Sequence, residues 1–404
     1  MAKCVCISDY RYVTTQLYQS GSTPNPIIGE YLFTRVNFTQ QLSSIGTFTG
    51  EILLSGLDPN TTNIEAGTTP GKVALYVFKG STPVWGGIIW HREWDAENQL
   101  LKITATEMLS YYQHRILNNM TGSANYSTNA DGSGTGVAGI VYTNADPIYI
   151  IHDLLTACNA KSHGNIGVTW ASSNPSSVSG GATVTRTFFD FELKTPYQAW
   201  KDLAQGASYL DFAIKPVMSG GNITNQLIVG TPTLGTTYNA ASTSSLNFQF
   251  PGNVVSYTYT EDSTRVGNYL YGIGYGANQA RIIDKHYDSS KITGSGTWPL
   301  LEDSVNYVDI VTPALLSTIT TGKLAAVSYP PTTVQIVTNT YTDPLYGTYN
   351  IGDGVNLIIA DDRFNGGVAG TYRIIGIDVQ PGETSADRVT LTLNLPLATT
   401  LVAG

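Results

Sequence analysis

The chain has 404 residues, of which 42% are hydrophobic and only 13% charged, with a formal net charge of −9. That length exceeds one ordinary core and points to two to four domains; 41 Gly, 25 Tyr and a charge content well below the usual ~25% leave too little Glu, Lys, Ala and Leu for long helices and favour strands joined by tight turns. The acid excess speaks against a sequence-independent nucleic-acid binder, which sets Lys and Arg against phosphates.

Residues 1–27 are expected to form an N-terminal arm. The first seven residues run at once into Ser8, Asp9, Tyr10 and Arg11, which leaves no apolar core for a signal peptide. Cys4, Cys6 and Cys158 cannot make a disulfide framework, and Cys4 and Cys6 are too close for an unstrained bridge. Synthesis in a reducing cytoplasm is therefore expected, and no stretch approaches the ~18 apolar residues of a membrane span.

From 28 to 120, strand-length apolar runs stand at Tyr31–Phe38, Gly50–Leu54, Lys72–Phe78, Val84–Trp90 and Leu100–Ala105. Turn signals separate them: Asp58-Pro59-Asn60, Pro70-Gly71, Lys79 to Pro83, and Asp95 to Asn98. This spacing fits a small antiparallel barrel or sandwich, expected as the first barrel domain. A Gly-, Ser- and Asn-rich boundary follows, centred on 130–136. Residues 121–247 then read as an α+β domain. One helix opens at Asp146-Pro147, with Asp as the cap and Pro at the first turn. A second opens at Thr195-Pro196 with Gln198 completing a capping box and Gly206 as its stop. Strand Tyr209–Ile214 comes next, and 172–181 is a Ser/Gly-rich excursion.

Strand patterns return at Val254–Tyr259, Tyr269–Gly274 and Arg281–Tyr287, so 248–295 is expected to begin a second barrel. A helix at Thr312–Ala326, with Pro313 at its start, falls in a small insertion, 296–330. Residues 331–404 complete the second barrel through Thr333–Val337, Gly354–Ile359, Thr371–Val379 and Val389–Leu395.

Two distant segments share one layout. Gly71–Val77 leads to Val84–Trp90 and then, through an acidic turn, to Leu101–Ala105. Gly352–Ile358 leads to Tyr372–Ile377 and then, through Pro381-Gly382-Glu383, to Arg388–Leu393. Trp85 lies 18 residues before Ile103, and Tyr372 lies 19 before Leu391. In each, an aromatic-led strand carries an internal glycine, which permits a bend or bulge. The fold class expected is mainly β: two related tube-like antiparallel β-barrel domains separated by an inserted α+β domain.

The run from Val73 to Ile116, with Pro83-Val84-Trp85-Gly86-Gly87 at its centre, and the run from Tyr349 to Val379, with Gly352-Asp353-Gly354 and Tyr372-Arg373-Ile374, resemble the two barrels of tail-tip or baseplate hub proteins of tailed bacteriophages. The likeness is greatest to minor tail proteins of siphoviruses infecting actinobacteria. It implies a structural, non-enzymatic subunit of the virion tail tip without cofactors. Three chains would present six similar barrels to a six-fold tail tube and leave a lumen through which DNA passes. The implied partners are further copies of the chain, the distal tail or tail tube protein, the tape-measure protein and other minor tail proteins.

Candidate chemistry is sparse. His91, His114, His152, His163 and His286 lack metal-ligand spacing, and no metal or catalytic site is expected. Gly272, Gly274 and Gly276 follow a strand without the helix a phosphate loop needs, and read as a bend. Asp343, Asp353, Asp361 and Asp362 are a possible carboxylate pair only if folding brings two face to face. The aromatics Trp85, Trp90, Trp94, Tyr111 and Tyr112 are the candidate interface or binding residues, with Trp90 and Trp94 on one face if the strand alternates without interruption. A glycan-binding tail adhesin and a tail-associated cell-wall hydrolase are the competing functions.

Overall fold

The computed structural model describes residues 9–17, 27–55, 63–134, 136–171, 175–176, 183–204, 210–231, 233–236, 246–276, 278–293, 297–307, 310, 312–328, 332–338, 341–364, 367–382 and 386–394. The turn at 58–60, Gly206, most of 172–181 and both Cys4 and Cys6 lie outside them.

The first half consists of β1 (Tyr10–Gln16), β2 (Ile27–Tyr31), β3 (Thr34–Gln41), β4 (Thr47–Leu53), the short α1 (Ile64–Gly67), β5 (Val73–Lys79), β6 (Thr82–Asp95) and β7 (Leu100–Glu107). Its strands lie side by side, all antiparallel, in the order β3-β4-β7-β6-β5-β1-β2. On β7, Leu101, Ile103 and Ala105 point into the core while Lys102, Thr104 and Thr106 alternate outward, as a strand with one covered face must. On β5, Val73 through Phe78 are all buried, because both of its faces are covered. Leu75 and Val77 face one core with Phe38, Phe48 and Trp85; Ala74, Tyr76 and Phe78 face a second core on the back of the sheet.

That second core is shared with the middle segment. A 3₁₀ turn at Met108–Gln113 leads into β8 (Tyr126–Ser127), β9 (Gly139–Ala145), α2 (Pro147–Ala160), β10 (Val168–Trp170), β11 (Val184–Phe189), α3 (Pro196–Ala204), β12 (Asp211–Ser219) and β13 (Asn222–Gly230). The strands make two small sheets, β11-β9-β8 and β10-β13-β12. Asp146 caps α2 by accepting from the Ile148 amide at 2.8 Å. At α3 the capping box forms in both directions, Gln198 N to Thr195 Oγ1 at 3.2 Å and Thr195 N to Gln198 Oε1 at 3.0 Å. A buried carboxylate, Asp153, accepts from Ser123, Tyr142 and Asn125 and ties α2 to β9 and the β8 loop.

The second half holds β14 (Asn247–Phe250), β15 (Val254–Glu261), β16 (Tyr269–Ile273), β17 (Ile283–Tyr287), α4 (Ser289–Ile292), β18 (Glu302–Asn306), α5 (Pro313–Val327), β19 (Thr332–Thr338), β20 (Gly354–Ile359), β21 (Val368–Gln380) and β22 (Arg388–Asn394). Strands β15, β19, β22, β21 and β20 follow one another across the sheet, with β14 added parallel to β20. Each of these five repeats a first-half strand: β3-β4-β7-β6-β5 and β15-β19-β22-β21-β20 share neighbour order, chain order and direction. The long middle strand of each repeat carries one bulge against its closing strand, between Ile89 and His91 in β6 and between Ile374 and Gly376 in β21.

Several expectations need correction. The fold is mainly β with several antiparallel sheets, but the pairing closes no barrel among the described residues: both halves belong to one thirteen-stranded sheet, joined where β21 pairs β3. The expected arm, 1–27, contains β1, held in the sheet between β5 and β2. Strands β16 and β17, expected in the second barrel, instead form a separate three-stranded sheet with β18 and pack on α5, so the small insertion begins soon after β15. Their apolar alternation was sufficient to mark strands and could not identify pairing partners. The closing strands keep the register read from the sequence, Ile103 with Leu391, but the middle strand is two residues out of it: pairing aligns Gly87, not Trp85, with Tyr372, and Trp85 with Gly370. Aromatic and glycine have exchanged places. A Cβ on Gly87 would lie 2.3 Å from the Trp85 ring, and one on Gly370 would lie 3.4 Å from the Tyr372 ring. A slip of two keeps every side chain on its own face, which is why the patterns still matched.

Candidate functional site

The five candidate aromatics separate. Trp85 is fully buried in the first core, its ring tilted against that of Phe48 with centroids 5.6 Å apart, and its indole N–H donated to Thr39 O at 3.0 Å. Tyr112 is fully buried in the second core, 4.7 Å from Trp200. Both are therefore removed from any partner, and their place as interface candidates is corrected: large rings lose most by staying in water, and these found internal cores. Tyr111 is held at a loop seam, donating to Gly164 O at 3.1 Å and accepting from Arg115 at 2.5 Å. Trp90 donates to Ser110 Oγ at 2.8 Å and lies 4.6 Å from the His114 ring.

Trp94 alone among the five is largely exposed, at 46%, with the Arg92 guanidinium 5.6 Å from its ring. It does not share a face with Trp90. The bulge after Ile89 inserts one residue, so Trp90 stays on the side of the second core while Arg92 and Trp94 pair with Ile103 and Leu101 of the first.

The matching stretch of the second half is covered. Up to its bulge, β21 pairs β20; beyond it, Gly376, Ile377, Asp378 and Val379 pair Gln41, Gln40, Thr39 and Phe38 of β3. Ile377 and Val379, equivalent to Arg92 and Trp94, are buried. Asn37 donates to Asp378 at 3.1 Å across this junction, and burial holds the Asp378 carboxyl above the usual range. Beyond the β6 bulge, by contrast, His91–Asp95 pair only β7, and the edge that left β5 carries no strand among the described residues. At one end of the sheet, β15 pairs β19, and its outer edge carries no strand among the described residues.

Enzymatic groupings do not assemble at the positions singled out. Asp361 receives the Tyr257 hydroxyl and the amides of Arg363 and Phe364 in a turn after β20, and its carboxyl is held below the usual range first by the Tyr257 bond. Asp353 is buried before β20, accepting from the amides of Thr236 and Asn350 at 2.8 Å. The length of β20 puts the two about 25 Å apart along the strand, too far for a glycosidase pair. Gly272 is a packing contact: a Cβ there would meet Thr320 of α5 at 1.9 Å. One grouping that sequence reasoning missed joins His286, Asp284 and Ser317, brought together by β17 and α5. Ser317 Oγ and the Asp284 carboxylate both approach Nε2 of His286, at 2.9 and 2.8 Å, so the ring cannot relay a proton from one to the other. No cluster of metal-ligating side chains forms among the described residues.

Where the two halves and the middle segment meet there is a cavity of about 110 Å³, lined by Gln40, Glu107, Lys215, Tyr346 and Asn350 among others. Pockets for small-molecule ligands run to roughly 300 Å³ and above. Glu107 accepts from Gly46 N at 2.6 Å, and burial pushes its carboxyl up to about 8. Arg373 bridges Asp211, Leu234 O and Gly352 O between β21 and the middle segment.

No protein-family model matches the sequence, and no curated protein does. Solved structures do share the fold. A 43 kDa tail protein of prophage MuSo2 from Shewanella oneidensis superposes with a TM-score of 0.59 at 12% identity, over 96% of this chain and 98% of that one. A tail protein from Neisseria meningitidis MC58 gives 0.55 at 12% identity, over 95% and 96%. The Francisella PdpA–VgrG complex gives 0.53 at 8% identity, over 98% of this chain and 59% of the matched one.

Proposed function

We propose that this chain is a structural, non-enzymatic subunit of a phage tail hub, of the siphovirus type found in phages of actinobacteria. Its two halves act as barrel-like modules. Three copies form a ring of six such modules at the tail tip, joining the six-fold tube to a three-fold tip and leaving a channel for DNA. The distal tail or tube protein, the tape-measure protein and other minor tail proteins are its neighbours.

The observation that carries this reading is the five-strand repeat with identical order, direction and bulge in the two halves. A chain built of two like modules lets a three-fold assembly present six like surfaces. The shared fold of the two prophage tail proteins, over nearly the whole of each chain, supports it. The low positive charge supports a channel to which DNA does not adhere.

Light scattering and negative-stain microscopy on the purified chain test the reading. The expected particle has three times the 43.4 kDa of one chain and six lobes around an opening. A particle that stays monomeric and binds cell-wall glycan would favour the adhesin instead, and release of cell-wall sugar would favour a hydrolase.

A further inference from the structure

We infer that the open edge of β6 beyond its bulge adds the β15 edge of a second copy of this chain as an antiparallel strand, in the register that the internal repeat prescribes. This rests on the ring reading and specifies its contact between copies.

The register follows from the pairing already made within the chain. The bulges align Ile89 with Ile374, so His91, Arg92, Glu93 and Trp94 stand where Gly376, Ile377, Asp378 and Val379 stand in the second half. The closing strands align Ala105 with Leu393. Through their neighbours, Phe48 then aligns with Val334, and Phe38 with Tyr259. Continuing along the strand, Thr39, Gln40 and Gln41 correspond to Thr260, Glu261 and Asp262. The junction made within one chain sets Val379 against Phe38, Ile377 against Gln40 and Gly376 against Gln41. Its counterpart between copies sets Trp94 against Tyr259, Glu93 against Thr260, Arg92 against Glu261 and His91 against Asp262.

The residues on the two edges complement each other in this register, although nothing in its derivation used their chemistry. The aromatic pair takes the position of the buried Val379–Phe38 pair and would cover the exposed Trp94. Arg92 meets the exposed Glu261; its Nη1 is held by Glu65 O at 2.7 Å and Thr68 Oγ1 at 3.1 Å, which orients the rest of the guanidinium. An unpaired strand edge is a template for addition of another strand, and here two such edges sit at non-identical places in one sheet, one within it where β6 has left β5 and one at its β15 end. Their contact is head-to-tail, the kind of interface that builds a ring when its rotation closes, as the three-copy reading requires.

Two experiments on the full chain test this. In light scattering, Arg92→Glu and Glu261→Arg should each weaken assembly at least tenfold, Glu261→Arg without moving the unfolding midpoint, and the double charge swap should recover most of it. In a Cys4→Ser, Cys6→Ser background, Glu93→Cys with Thr260→Cys should give covalently linked oligomers on oxidation, and neither single variant should. A ring that forms normally in both single charge variants, and that does not cross-link, would overturn this register while leaving the ring reading intact. A chain that stays monomeric at every concentration and does not cross-link would overturn both.

Discussion

The long strands β6 and β21 begin alike and end differently. Each pairs one hairpin partner up to a bulge and then leaves it. Past the bulge, β21 finds β3, and its inward residues are Ile377 and Val379, apolar and buried. In the same place β6 finds no strand among the described residues, and its inward residues are Arg92 and an exposed Trp94. A junction within one chain forms during folding and can be filled with small apolar side chains. An edge that must stay soluble before assembly carries charge and an amphipathic ring. On the proposed reading, the difference in composition separates a seam made in folding from an edge left for a second copy.

The largest effect is expected from placing a charge at both sites. Val379→Asp buries an unpaired carboxylate and should cost about 4 kcal/mol, read as a lowered urea midpoint. Trp94→Asp should change the unassembled chain by under about 0.5 kcal/mol while abolishing assembly. Equal costs at the two sites would erase the distinction drawn between them.

Next comes Glu107, at the seam where both halves meet the middle segment beside Tyr346 and Lys215. Burial raises its folded value from 4.5 to about 8. Between those values the folded chain keeps a proton that the unfolded chain releases, so this group's contribution is fully present below about 4.5 and is lost as pH rises through about 8. Glu107→Gln removes that penalty. Unfolding curves should show the variant gaining on the order of 4 kcal/mol over the native chain between pH 5 and pH 8.5. A parallel pH dependence of the two would mean that the carboxyl does not report on this seam.

The smallest effect concerns the polar pair at the formed junction. Asn37→Ala takes the donor from the half-buried Asp378 and should cost about 1 kcal/mol in thermal or urea unfolding. Glu93→Ala, at the matching site on the open edge, should cost well under that, since its ion pair with Lys102 is exposed.

Strands and helix starts were legible where the signal is local. The alternation of β7 and β22, the Asp146 cap and the Thr195–Gln198 capping box are readable within a few residues, and the structure forms each of them. Pairing was not legible, because β21 and β3 lie more than 330 residues apart and neither sequence names the other. The hairpin of β12 with β13 was half seen, since Asn222–Gly230 mixes polar and apolar residues without clean alternation. The bulge that separates Trp90 from Trp94 leaves no mark a period of two can reveal. The burial of Tyr112 was not legible because it depends on the middle segment covering the second face of the sheet, nor that of Trp85, because it depends on Phe48 and the other strands of the first core.

Backbone amide hydrogen exchange, compared between the unassembled and assembled chain, tests the central claim most directly. The amides of 91–95 and 259–262 should slow together on assembly, by a hundredfold or more, while those of 376–379 stay equally protected in both states. An assembled particle in which 91–95 and 259–262 exchange as fast as in the free chain would contradict it.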